Sequence, residues 1–133
     1  MGWLMATPDE IREHVRRYYA AVSAGDIERV LTMFTADAEM RDPVGAPAAS
    51  DDMARRHRYA GIGAAFETFT IAPGVIRVGG DEAAATWSAS ARAKNGRDLR
   101  FDGISAFAFD GEGRITRMWA FLDMEAIAAA MAG

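Results

Sequence analysis

An α+β fold, with helices laid over one face of a mostly antiparallel sheet, follows from three features of the sequence. The first half carries runs in which apolar residues recur at helical spacing, and the second half carries runs in which they alternate. A chain of 133 residues supplies one two-layer core and too little chain for a second, so residues 1–133 are read as a single domain.

Thr7-Pro8-Asp9-Glu10 opens the first helix by its chemistry. Thr7 can cap, Pro8 suits the first turn, and Glu10 completes a capping box. Ile11, Val15, Tyr18, Tyr19 and Val22 then form an apolar stripe, and Gly25 stops the helix before Asp26 caps a second one. That second helix carries Ile27, Val30, Leu31 and Phe34. Residues 38–42 alternate as a short strand, with Ala38, Met40 and Asp42 on one face, and it ends at Pro43. Pro43, Gly45 and Pro47 form an extended loop. Ser50-Asp51-Asp52 then caps a third, arginine-rich helix through about Tyr59. Strands are expected at 68–72, 75–78, 83–93, 99–109 and 114–122, the last three joined by turns at Asn95-Gly96 and Asp110-Gly111-Glu112-Gly113. The alanine-rich tail from Glu125 reads as a short helix or a frayed end.

Composition narrows the function. The net charge is −4, with 15 basic residues scattered among 19 acidic ones, which leaves no basic footprint for nucleic acid. Zero cysteines remove thiolate chemistry and cysteine-held metals. His14 and His57 stand on different helices without ligand spacing, so no metal site and no cofactor is expected. Met1 to Ala6 lacks the pattern of a leader or a membrane span, and cytoplasmic placement is the expectation.

Two kinds of residue remain to carry chemistry. Asp42 shares a strand face with apolar neighbours, where a carboxylate is costly unless it is paired or used; the plainer alternative is a turn cap before Pro43. Tyr18 and Tyr19 both lie on the stripe of the first helix, so at least one phenol enters the interior, as a core residue or as a donor. On the strand 99–109, alternation groups Phe101, Gly103, Ser105, Phe107 and Phe109, which sets Ser105 among aromatic rings. Asp102 falls on the other face unless Gly103 marks a bulge.

Arg17-Tyr18-Tyr19-Ala20-Ala21, Ala24-Gly25-Asp26, Phe34-Thr35-Ala36-Asp37-Ala38, Asp42-Pro43-Val44-Gly45 and the closing run from Phe107 to Ile115 resemble the Δ5-3-ketosteroid isomerases of the SnoaL-like, NTF2-like superfamily. The likeness spans roughly Ile11 to Ile127. It implies a cone of strongly curved, mostly antiparallel sheet closed by three N-terminal helices around an apolar pocket, and a homodimer joined through the outer sheet face. It also implies an isomerase that moves a double bond into conjugation through a dienolate. Asp42 matches the proton-shuttling base, Tyr18 the oxyanion donor and Tyr59 a tyrosine bonded to that donor. Ser105 falls where the family has a protonated aspartate, a departure that weakens one donor. Met40, Trp87, Phe101, Phe107 and Met118 complete the expected substrate lining. A small apolar substrate is the expected partner, with neither nucleic acid nor membrane. The alternatives are a SnoaL-like cyclase or isomerase on another enolisable or epoxide substrate, and a ligand-binding dimer without catalysis.

Overall fold

In the computed structural model, which describes residues 6–132, Thr7 caps α1 (Pro8–Ser23) as its chemistry requires. Its hydroxyl accepts from the Glu10 amide at 3.2 Å while the Glu10 carboxylate accepts from the Thr7 amide at 3.1 Å. Residues 1–5, which hold most of the segment read as neither leader nor span, and residue 133 lie outside the described part. Gly25 turns the chain at φ +68°, and Asp26 caps α2 (Ile27–Thr32) by accepting from the Arg29 amide.

The second helix is shorter than its apolar stripe suggests. Phe34 belongs instead to β1 (Phe34–Arg41), which begins earlier than the alternation at 38–42 implies. The cause is tertiary: the Ile115 amide donates to the Met33 carbonyl at 2.7 Å, drawing the chain into a parallel ladder with β5 (Ile115–Leu122). Helix α3 (Asp52–Ala65) follows and continues past Tyr59. Next comes β2 (Phe66–Gly79), in which the two expected strands are one, with the register shifting between Pro73 and Ile76. A strand at the sheet edge tolerates a proline and a bulge there. Strands β3 (Glu82–Ala93) and β4 (Asp98–Phe109) form the sheet centre, and the tail is a helix, α4 (Met124–Ala132).

The five strands run in the order β1-β5-β4-β3-β2, parallel only between β1 and β5. Three helices precede β2, with α3 following β1 in the order expected of the strand at 38–42 and the third helix, and α4 realises the short-helix alternative for the tail. Among the described residues no helix is long and apolar enough to cross a membrane.

One continuous core joins α1 to the inner face of the sheet. Strand β3 turns Ala83, Ala85, Trp87, Ala89, Ala91 and Ala93 inward, so its inner wall is shallow everywhere but at Trp87. Ser23 ties the end of α1 to the sheet edge, donating to the Ile71 carbonyl and accepting from the Ile71 amide, each at 2.7 Å.

Two further features position the site. Arg55 of α3 is 1% exposed and donates to the carbonyls of Ala38 at 2.7 Å, Thr35 at 3.1 Å and Ala36 at 3.0 Å. These carbonyls lie where the β1–β5 register shifts, so the guanidinium serves acceptors in an interrupted stretch of ladder. Gly103 faces Trp87 in an unbroken β3–β4 register, so there is no bulge and Asp102 stays exposed on the outer face. A Cβ at Gly103 would stand 2.3 Å from the Trp87 ring and 2.5 Å from the Phe121 carbonyl oxygen. Gly103→Ala is therefore expected to cost about 1–3 kcal/mol in urea unfolding and to change Trp87 fluorescence, as overpacking displaces the indole. An unchanged spectrum and midpoint would refute this.

Candidate active site

Asp42 stands just beyond β1, at a cis bond to Pro43, and is fixed from two sides. The Val44 amide donates to the Ala120 carbonyl of β5 at 2.8 Å. From α3, Arg58 donates to the Asp42 carbonyl at 2.8 Å and to the Pro47 carbonyl. The carboxylate is left facing a cavity of about 310 Å³. Asp42 is half-buried and densely surrounded by protein. Among the described residues no donor is hydrogen-bonded to this carboxylate.

Burial pushes the Asp42 pKa above the ordinary carboxylate range, and the Arg58 charge restrains the rise. The result is an unencumbered base beside a cation that does not neutralise it by direct bonding. Arg58→Gln is expected to raise the Asp42 pKa further. The acid limb of any activity that needs the carboxylate then moves to higher pH, as read from a pH–rate profile. A limb at the same or lower pH would show that Arg58 acts on the loop alone.

All three tyrosines of the chain, Tyr18, Tyr19 and Tyr59, line the same cavity. The Tyr18 and Tyr59 hydroxyls are 2.6 Å apart and share one hydrogen bond, so one of their two protons stays available to a ligand. Desolvation raises all three phenols well above the usual tyrosine value, and they remain proton donors at neutral pH. Ser105 lies on the cavity wall and accepts from Trp87 Nε1 at 3.0 Å. Phe66, Phe69 and Phe101 form an aromatic cluster at another part of the wall, with centroids 5.8–6.3 Å apart.

Of the residues expected from sequence, Tyr18, Asp42, Tyr59, Trp87, Phe101, Ser105 and Met118 meet at this cavity. Met40 and Phe107 do not, and their expected place in the lining is corrected. Met40 is fully buried in the core, on a strand whose backbone bridges Ala49 and pairs with Met118. Phe107 packs beneath the phenols, with its centroid 5.4 Å from Tyr18 and 6.0 Å from Tyr19, and so supports the donors without lining the pocket.

Arg58 and the α4 residues Met124, Ile127 and Met131 also line the cavity and were not among the expected residues. Arg58 belongs to a helix whose several arginines look alike in sequence, and nothing local marks it. Arg55, Tyr59 and Ile62 do lie at helical spacing, a stripe visible only if arginine is counted as partly apolar. His14 packs against Phe109 at 5.6 Å, and His57 is exposed. Among the described residues no group of three or more His, Asp or Glu side chains is arranged to hold a metal ion.

The model of the SnoaL-like domain family matches residues 15–118. A solved structure described as the epoxide hydrolase/cyclase-like enzyme SalBIII, with a role in pyran ring formation in the polyether salinomycin, is similar over 88% of this chain and 93% of its own. The identity is 27% and the TM-score 0.80.

Proposed function

The chain belongs to the SnoaL-like family, and on that premise we propose that it is an isomerase or cyclase working by proton transfer on an apolar enolisable ketone, with a Δ5-3-ketosteroid as the first candidate substrate. The supporting observation is the pairing of one unbonded carboxylate, Asp42, with buried phenols on the same cavity. Asp42 takes the proton from the carbon between carbonyl and alkene. The electron pair moves through the new double bond onto the carbonyl oxygen, which the Tyr18 phenol holds by donating a hydrogen bond. The same carboxyl group then returns the proton to the far carbon of the dienolate. Water-poor surroundings strengthen the phenol–oxyanion bond, and the aromatic and methionine walls accept an apolar skeleton. The reaction as written needs no organic cofactor.

The test is conversion of a Δ5-3-ketosteroid to its conjugated isomer, followed by the new ultraviolet absorbance. Steady growth of that band supports the steroid reading, and its absence with any β,γ-unsaturated ketone would end it. The likeness to a cyclase favours one second reading, in which the Asp42 carboxyl group protonates an epoxide oxygen, a substrate hydroxyl attacks the epoxide carbon as that C–O bond breaks, and the hydroxyl proton passes to the Asp42 carboxylate. Cyclisation of a hydroxy-epoxide that weakens as pH rises through the Asp42 pKa would select it. Binding of such molecules with no turnover would select a ligand-binding role.

A homodimer joined through the outer sheet face belongs to the same proposal. Ile104 and Phe121, paired across β4 and β5, are 51% and 49% exposed on that face. Ile104→Glu is expected to give a sedimentation coefficient near that of a monomer, and an unchanged coefficient would exclude this surface.

A further inference from the structure

Resting on the proposed oxyanion-binding site, we propose that Tyr19 is a second hydrogen-bond donor to the substrate oxygen, and that Ser105 and Trp87 act behind it as positioning residues. Tyr19 is 2% exposed and belongs to the cavity lining, and its buried hydroxyl has no hydrogen bond in ordinary geometry, with Ser105 the group nearest to making one. A buried O–H left this way costs stability, and such a cost persists in a native protein where the group has a ligand to meet. The neighbouring phenol differs in this respect, because Tyr18 already shares its hydrogen bond with Tyr59.

The two rings reach one cavity from consecutive positions of α1. Successive helical residues point about 100° apart, so the side chains diverge, and the centroids sit 5.0 Å apart with the planes at 74°. Tyr18 goes toward Tyr59, while Tyr19 goes toward β4 and Ser105. Ser105 is 3% exposed and its oxygen already accepts from Trp87 Nε1. With that acceptor position taken, its own proton is free to point at the Tyr19 oxygen, and the proximity of Ser105 holds the Tyr19 pKa below where desolvation alone would put it.

On this reading the donors run in one direction, the Trp87 N–H to Ser105, the Ser105 O–H toward Tyr19, and the Tyr19 O–H to the ligand. Each donor is polarised by the one behind it. The Gly103 gap that admits the Trp87 ring is part of the same device. With its oxygen engaged by Trp87 and its proton directed at Tyr19, Ser105 is not the second donor to the ligand, and Tyr19 supplies that contact.

The chain has only three tyrosines, all of them in this site, so tyrosine labelled with carbon-13 at Cζ gives three resonances, assigned by the single Phe variants. The probe is 2-naphthol, an apolar phenol whose ionised form mimics a dienolate and whose fluorescence reports its ionisation. Saturating probe is expected to move the Tyr18 and Tyr19 resonances together. Tyr19→Phe is expected to weaken binding by about tenfold to a hundredfold and to lower the ionised fraction of the bound probe. Ser105→Ala is expected to move the Tyr19 resonance in the free protein and leave that of Tyr18 in place.

If the probe binds and moves Tyr18 while Tyr19 stays fixed, the inference fails and the proposed function stands. If the probe does not bind, or binds without moving either phenol, the oxyanion site itself fails and the inference falls with it. Should Tyr19→Phe not fold, the shifts in the unsubstituted protein still decide between these outcomes.

Discussion

Asp42→Asn is expected to lower the rate of double-bond migration by on the order of a thousandfold while leaving the melting temperature equal or higher at pH 7. The amide has nearly the shape of the carboxylate but cannot take a proton from carbon, and general-base steps contribute about a hundredfold to ten-thousandfold. The stability half follows from burial. Desolvation raises the Asp42 pKa in the folded chain above its unfolded value. The folded state therefore binds this proton more tightly, and the associated stabilisation is fully present below the unfolded pKa. It is lost as pH rises through the folded pKa. At neutral pH the ionised group lowers stability, and asparagine removes that penalty.

Initial rates followed by absorbance, with a thermal melt at pH 7, check both halves. A variant that keeps its rate would remove Asp42 from the chemistry. A variant that loses rate and melts earlier would show that the Asp42 carboxylate also supports the fold, although it caps no turn among the described residues. The pH profile carries the same physics, since activity should fall as pH drops through a pKa above the usual carboxylate range.

Arg55→Ala is expected to destabilise the chain by about 3–5 kcal/mol in urea unfolding. Three carbonyls of β1 lose a charged donor at once, and the Phe34 ring loses the guanidinium stacked 5.3 Å from its centroid. Hydrogen bonds to charged groups contribute roughly 1.5–3 kcal/mol each, and part of that is recovered as water enters. For a chain of this size the melting temperature should drop by about 10–20 °C. Arg55→Lys should recover little, because one ammonium group on a flexible stem cannot span three acceptors as a planar fork does. A loss under 1 kcal/mol for Arg55→Ala would mean that the interrupted part of β1 is held by its other contacts. Because β1 leads directly into Asp42, a surviving folded fraction is expected to have a weaker site, and probe binding alongside the urea curve would detect it.

The parts of the fold legible in the sequence were those whose causes are local. Thr7 to Glu10 carry their own helix start, and the alternation along 99–109 set Ser105 among Phe101, Phe107 and Phe109 before any partner strand was known. The resemblance at Tyr18, Asp42 and Tyr59 brought forward residues that the structure gathers on one cavity. What misled was equally local: the apolar stripe of α2 carried Phe34 with it, although a ladder to β5 claims that residue, and Met40 looked like lining because strand alternation cannot say what covers a face.

By itself the sequence determined an α+β fold class, the shared faces of residues 38–42 and 99–109, and an acid and phenols as the groups able to do chemistry, because helix caps and residue periodicity act within a few positions of the chain. Only the tertiary structure decided that Tyr19 has an unpartnered hydroxyl, that Arg58 rather than another arginine adjoins Asp42, and that α4 closes the pocket with Met124, Ile127 and Met131. Each of these depends on the distance between segments far apart in sequence, and that distance is set by how helices and sheet pack once the apolar core is buried.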